Sequence, residues 1–294
     1  MRGFGRFTLA SLFIGVLTGS PTLALEPGQS EPKRLYSIGD SATRAVNADL
    51  PFDNLNLSWV SGYFGFWEEF FGLPNIKSHN QRISANFGSK KRKNWIAAEN
   101  GAEMDDMVVQ AAGTAGKNVT YATVLLGAND LCEDSVSDLP TDAQFEAEFR
   151  AGMDTLLGNL SKGATVQVIA IFDVTRVYDV GKDKEALGIV DCQDVWEVSG
   201  LCGSILSPDA TDADREFVRS RNISYNQILK NVTQEKAVQH PGKFISFTDL
   251  SFTYPFTQKE LSDIDCYHPS HQAQKILSRE AWNAGFFKAH QKGK

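Results

Sequence analysis

Four short apolar runs, at residues 35–38, 121–126, 164–172 and 244–247, constrain this chain more than any other feature. Each is a nearly unbroken stretch of strand length, the pattern of a strand buried on both faces. Helix-type stretches lie between and after them, over 104–115, about 141–160, about 211–238 and about 270–289. Two of these open on capping signals, Thr141-x-x-Gln144 and Thr211-x-x-Asp214, in which the threonine side chain satisfies a free N–H of the first turn. Strands alternating with helices predict an α/β fold, a parallel sheet covered on both sides. In such a sheet ligands bind in the crevice beyond the carboxyl ends of the strands. The residues that directly follow each strand are therefore the ones to search for chemistry.

After the first strand the chain reads Gly39-Asp40-Ser41. A serine hydroxyl is a weak nucleophile and needs a base, a group that orients the base, and donors for the developing oxyanion. Of the five histidines, His268 stands out because Asp265 precedes it by three residues and Pro269 follows it. The proline biases the histidine away from helical geometry. One turn of chain then brings the carboxylate to a ring nitrogen, fixing the tautomer and leaving the other nitrogen to take a proton from Ser41. His271 is the weaker candidate. The second strand runs into Gly127-Ala128-Asn129-Asp130, where Asn129 offers an amide N–H. Gly101 and Ser41 itself can add main-chain donors.

In these blocks the chain resembles the SGNH (GDSL-type) hydrolases: Gly39-Asp40-Ser41, Gly101, Gly127-Ala128-Asn129-Asp130 and Asp265-Cys266-Tyr267-His268 match in order. The resemblance implies a flavodoxin-like three-layer α/β/α sandwich. It implies Ser41 as nucleophile, His268 as base, Asp265 as its orienter, and an oxyanion hole from the Ser41 and Gly101 N–H groups with the Asn129 side chain. Asp40 and Asp130 would hold their loops. No metal or organic cofactor is expected. A narrower resemblance, to the phospholipase B-like branch, rests on Leu57-Ser58-Trp59 and on Leu131-Cys132 after the third block. Ala42 and Ala128 depart from it, standing where that branch has leucine and glycine. Bacterial SGNH cholinesterases are similar in layout. The substrate implied is a lysophospholipid or phospholipid, or a short acyl ester of choline. The alternatives are a carbohydrate acetylesterase and a catalytically silent binding module on the same fold.

The remaining features place and decorate this domain. Residues 1–24 read as a signal peptide, with Arg2 and Arg6, an apolar stretch over 7–16 and Thr22-Leu23-Ala24 as cleavage site. That predicts a secreted or periplasmic protein with no stable membrane span after cleavage. A net charge of −7 and a pI near 5.3 offer none of the basic surface that nucleic acid requires. One hydrolase domain is expected over 33–290, with a long excursion at 178–210 of the kind that forms lids or specificity elements. An exported chain with four cysteines favours pairing. Cys192 and Cys202 are near enough in sequence to close a small loop, leaving Cys132 with Cys266, though three pairings are open. Tyr63, Phe66, Trp67, Phe70 and Phe71 share one helical face, either as core or as an apolar lip for an acyl chain or cationic head group. Trp67 and Trp196 are the candidate substrate contacts. Residues 76–100, with Lys90-Lys91-Arg92-Lys93, read as a solvated loop.

Overall fold

The structure, a computed structural model, describes residues 25–292; the expected signal peptide, 1–24, lies outside the described residues. The strands are β1 (Arg34–Gly39), β2 (Lys93–Ile96), β3 (Tyr121–Leu125), β4 (Thr165–Ile169), the small hairpin β5 (Glu185–Ala186) and β6 (Val190–Asp191), and β7 (Phe244–Thr248). Five of them form one parallel sheet in the order β2-β1-β3-β4-β7. With the hairpin set aside this is the doubly wound order of flavodoxin-like folds.

The helices are α1 (Ser41–Arg44), α2 (Phe66–Phe70), α3 (His79–Phe87), α4 (Met107–Ala112), α5 (Asp142–Asn159) and α6 (Thr175–Gly181). They continue as α7 (Cys192–Ser199), α8 (Gly203–Leu206), α9 (Asp212–Gln239), α10 (Leu250–Thr253) and α11 (His271–Ala284). Alternate strand residues face opposite layers. Tyr36, Ile38, Val124, Val166 and Val168 pack with Phe145, Phe149 and Leu229 of α5 and α9. Leu35, Tyr121, Leu125 and Ile169 pack on the other side with Trp59, Ile83 of α3 and Trp282 of α11. The expected three layers are therefore present. No helix among the described residues is long and apolar enough to cross a membrane.

Two elements differ from the sequence reading. The polar stretch at 76–100 holds both α3 and β2. The buried face of α3 includes His79, Asn80 and Arg82, so its core-facing side carries little apolar signal. His79 is satisfied there by Tyr121 Oη at 2.8 Å and the Ser278 carbonyl at 3.0 Å. Strand β2 is an edge strand paired only with β1, and its first two residues are exposed, so it needs no apolar run.

The cysteines pair as Cys132–Cys202 and Cys192–Cys266, not as a small loop. The reason is α7: Cys192 begins this helix of 8 residues and Cys202 lies past its end. A rigid spacer of about 12 Å exceeds the roughly 4.4–6.8 Å between Cα atoms that a disulfide spans. The excursion at 178–210 is thereby fastened at two points. One lies beside Asn129 and the other inside the loop that carries His268.

Candidate active site

Strand β1 ends in Gly39, level with Leu125 at the end of β3. A Cβ on Gly39 would sit 2.7 Å from the Leu125 carbonyl oxygen and against the Thr43 side chain, so only glycine permits this approach. The Gln110 side chain from α4 clamps the same residue, accepting from the Gly39 N–H at 2.9 Å and donating to its carbonyl at 3.0 Å. Asp40 caps α1, its carboxylate accepting from the Ala42 N–H at 2.9 Å. Ser41 thus occupies the first helical position, where a backbone N–H lies ahead of the helix's own ladder.

Ser41 Oγ lies 2.9 Å from His268 Nε2, and His268 Nδ1 lies 2.5 Å from Asp265 Oδ2. The second carboxylate oxygen accepts the backbone N–H groups of Tyr267 and His268, each at 3.0 Å. This tight turn is how a spacing of three residues brings carboxylate and imidazole together. Burial works to raise the Asp265 pKa, but the hydrogen bond and charge of His268, the Asn47 amide and the Tyr267 N–H bring it down to about 2. Asp265 is therefore ionised at any pH near neutral. A fixed anion at Nδ1 favours the tautomer with its hydrogen on Nδ1 and leaves the Nε2 lone pair facing Ser41 Oγ.

The third block meets the second. The Asn129 amide donates to the Ala102 carbonyl at 2.8 Å, which leaves its second N–H unspent. Asp130, buried, accepts the Met104 N–H with both oxygens, at 3.2 and 3.0 Å. Gly101 sits on the exposed turn between them at φ +77°, with open space where a Cβ would go, so backbone conformation rather than crowding calls for glycine.

The sequence profile of the GDSL-like Lipase/Acylhydrolase family matches residues 35–281, a span that holds every part of this site. The chain belongs to that family. It is a GDSL-type carboxylic ester hydrolase. Comparison with curated proteins gives no match. Among solved structures it is similar to LAE5, an alpha/beta hydrolase enzyme from the metagenome of Lake Arreo, at 15% identity, covering 88% of this chain and 97% of that one, with a TM-score of 0.48. It is similar also to an extracellular lipase from Streptomyces rimosus, at 16% identity, covering 86% and 96%, with a TM-score of 0.41. Phospholipase A1 from Streptomyces albidoflavus NA297 aligns at 14% identity over 86% and 96%, with a TM-score of 0.39. At these identities none of the three bears on substrate.

The GDSL-type blocks were visible in the sequence, but two supporting residues were not. Asn47 donates from Nδ2 to Asp265 Oδ2 at 2.5 Å, so the Asp265 carboxylate has a fixed partner besides histidine. Asn47 is held in turn, its Oδ1 accepting the Phe52 N–H at 2.7 Å and its carbonyl accepting from Ser262 Oγ at 2.6 Å. Asp53 pairs with Arg44 of α1 and accepts from Asn100 Nδ2 at 3.1 Å, tying the serine's helix to the Gly101 turn. Neither residue has a motif; the contact of Asn47 with Asp265 spans 218 positions. Because Asn47 sits at φ +52°, Asn47→Gly removes the side chain while keeping the backbone. Losing a hydrogen bond to a charged group costs about 1.5–3 kcal/mol. The expected result is a fall in kcat of roughly 10- to 100-fold with KM little changed, measured by steady-state ester hydrolysis.

Trp196 is not placed to touch substrate. It is 1% exposed, in the core behind the catalytic loop, where its indole N–H donates to the Asp265 carbonyl at 3.2 Å. The aromatic stripe is the reverse case: no residue of α2 is buried. Trp67 is 63% exposed and stacks on Phe71, with Phe66 and Phe70 completing the cluster.

Burial and the charge of Glu103 push the Asp130 carboxyl up to about 8 from an ordinary 3.8, with the Met104 and Asp130 backbone N–H groups pulling the other way. The folded protein then holds a proton that the unfolded chain releases near 3.8. That linkage stabilises the fold below this pH and is lost as pH rises toward about 8. In Asp130→Asn the amide does not titrate. Its melting temperature relative to the parent protein is expected to improve steadily from pH 5 to about pH 8, as read by calorimetry.

Proposed function

We propose that this hydrolase is exported and cleaves esters that pair an apolar acyl group with a lipid-type or choline-type alcohol, through an acyl-enzyme on Ser41. The carrying observation is the line of contacts from Ser41 Oγ to His268 Nε2 and from His268 Nδ1 to Asp265, at 2.9 and 2.5 Å. Ser41 Oγ attacks the ester carbonyl while its proton passes to Nε2. The negative charge on the carbonyl oxygen is met by the Ser41 and Gly101 N–H groups and the free Asn129 N–H. The imidazolium, stabilised by Asp265, protonates the departing alcohol. Water then repeats the sequence, losing its proton to Nε2 and releasing the acid as Ser41 regains its hydrogen.

The lipid- or choline-type alcohol is supported by α2 and the residue that ends it, where exposed Phe66, Trp67, Phe70 and Phe71 present ring faces and edges to solvent. Such faces attract quaternary ammonium groups and lie readily at a lipid surface. Export is supported by the leader-like residues 1–24 and by two disulfides that an oxidising compartment favours.

A panel of lysophosphatidylcholine, acetylcholine, butyrylcholine and acetylated xylan tests the assignment. The expected order places a choline-bearing ester first by kcat/KM. Preference for acetylated xylan would replace the lipid and choline reading with a carbohydrate esterase. Absence of activity on all four and on p-nitrophenyl acetate would remove the hydrolase mechanism itself.

A further inference from the structure

We propose that Trp196 is a positioning residue for ester hydrolysis, acting with the Cys192–Cys266 disulfide to hold the backbone turn that aims Asp265 at His268. The proposal rests on the Ser41, His268 and Asp265 reading and adds to it what keeps the last two in register. One residue of the turn is strained. Cys266, between Asp265 and His268, has φ +57°, in the left-handed region that a residue with a side chain rarely adopts. The Tyr267 and His268 N–H groups lie beyond it in the chain and reach back to Asp265 Oδ1, each at 3.0 Å. Relaxation of Cys266 to an ordinary negative φ would swing those N–H groups, and the imidazole with them, away from the carboxylate.

Helix α7 takes hold of Cys266 on both sides of the bond about which φ turns. The peptide plane on one side carries the Asp265 carbonyl, which accepts the Trp196 indole N–H at 3.2 Å. On the other side the Cys266 Cβ is tied through the disulfide to Cys192. Fixing the peptide plane and the Cβ together fixes φ. Cys192 and Trp196 are one helical turn apart, so both holds come from one face of α7. The helix is itself anchored. A Cβ on Gly181, the last residue of α6, would sit 2.8 Å from the Trp196 ring, so the ring lies directly on that backbone. Leu187 donates its N–H to the Asp263 carbonyl at 2.7 Å, and Lys184 pairs with the Asp263 carboxylate. Past the far end of α7, Cys202 is bonded to Cys132, and Ser204 donates to the Glu133 and Leu131 carbonyls at 2.8 and 2.9 Å. Tied down in this way, residues 178–210 brace the base's loop against the loop that carries Asn129.

The test uses Trp196→Phe and, separately, benzothienylalanine in place of Trp196, which keeps the two-ring shape and exchanges only the N–H for sulfur. Assayed on p-nitrophenyl acetate well below the melting temperature, both are expected to lose roughly 10- to 100-fold in kcat with KM changed less than about twofold. In an Asp265→Asn background the same replacements are expected to change kcat by less than about twofold, because the carboxylate through which Trp196 acts is already gone. The disulfide is tested by Cys192→Ala combined with either Cys266→Ala or Cys266→Gly. Glycine takes a positive φ without strain, so the pair with glycine is expected to have at least about fivefold the kcat of the pair with alanine. Should the cysteine variants fail to fold, the benzothienylalanine enzyme, with both disulfides and the core volume in place, decides alone. A lowered melting temperature with parental kcat and KM would make Trp196 core packing and overturn the proposal. So would an equal kcat loss in the parent and Asp265→Asn backgrounds, or a glycine pair no faster than the alanine pair. An inactive parent enzyme, or full activity in Ser41→Ala, would instead strike the hydrolase reading.

Discussion

Ser41→Ala and His268→Ala are each expected to lower kcat on p-nitrophenyl acetate by at least about 10⁴-fold, to a common floor that the double variant does not pass. In the proposed mechanism the two side chains act as one unit. Without the hydroxyl there is nothing to acylate, and without Nε2 the hydroxyl keeps its proton. Both substitutions should leave the fold standing. Ser41 Oγ makes its side-chain contact with His268, and the Asp265 carboxylate retains the Asn47 amide and two backbone N–H groups when the ring is gone. Thermal unfolding alongside the kinetics separates a chemical loss from a folding one. A single variant that keeps more than about a tenth of parental kcat, with an unchanged melting temperature, would mean that another group supplies the nucleophile or the base.

Why was this pair legible in the sequence when other parts of the site were not? Ser41 and His268 each follow a local signal: a strand that stops at glycine, and a histidine set three residues after an aspartate and before a proline. Both signals are consequences of short-range chain geometry. Asn47 carries no such mark, because what makes it matter is Asp265 arriving from the other end of the chain. The same distinction runs through the fold. Strands β1, β3 and β4 are apolar because both of their faces are covered, so their sequence announces them. Strand β2 has a partner on one side only and can be built from Lys93 and Asn94, which announce nothing.

Trp196 and Trp67 show that aromatic composition does not say which way a residue faces. The first lies on α7, which Cys192 fastens to the catalytic loop at Cys266, and its burial follows from that long-range tie. The second lies on α2, which buries none of its residues. A helical stripe of rings is compatible with either outcome until the rest of the chain supplies a surface to cover it.

Asp265→Asn is expected to cost about 10⁴-fold in kcat while KM changes little, and the local hydrogen bonds say why so small a change should cost so much. One oxygen of Asp265 accepts two backbone N–H groups, from Tyr267 and His268, and no NH2 group can take that place. The new amide must therefore keep its oxygen there and turn its NH2 toward His268 Nδ1. Asn47 cannot relieve the arrangement by rotating its own amide, because its Oδ1 already accepts the Phe52 N–H. A donor at Nδ1 forces the tautomer in which Nε2 carries the hydrogen, and that nitrogen then faces Ser41 Oγ with nothing to accept its proton. The substitution also removes a titration. The Asp265 carboxyl, held at about 2 against an ordinary 3.8, stabilises the fold above the unfolded value and loses that contribution as pH falls toward 2. Acid unfolding of the variant should accordingly be less steep than that of the parent between about pH 4 and pH 2. A kcat loss of tenfold or less would show that the carboxylate only steadies the ring, and that the choice of tautomer is made elsewhere.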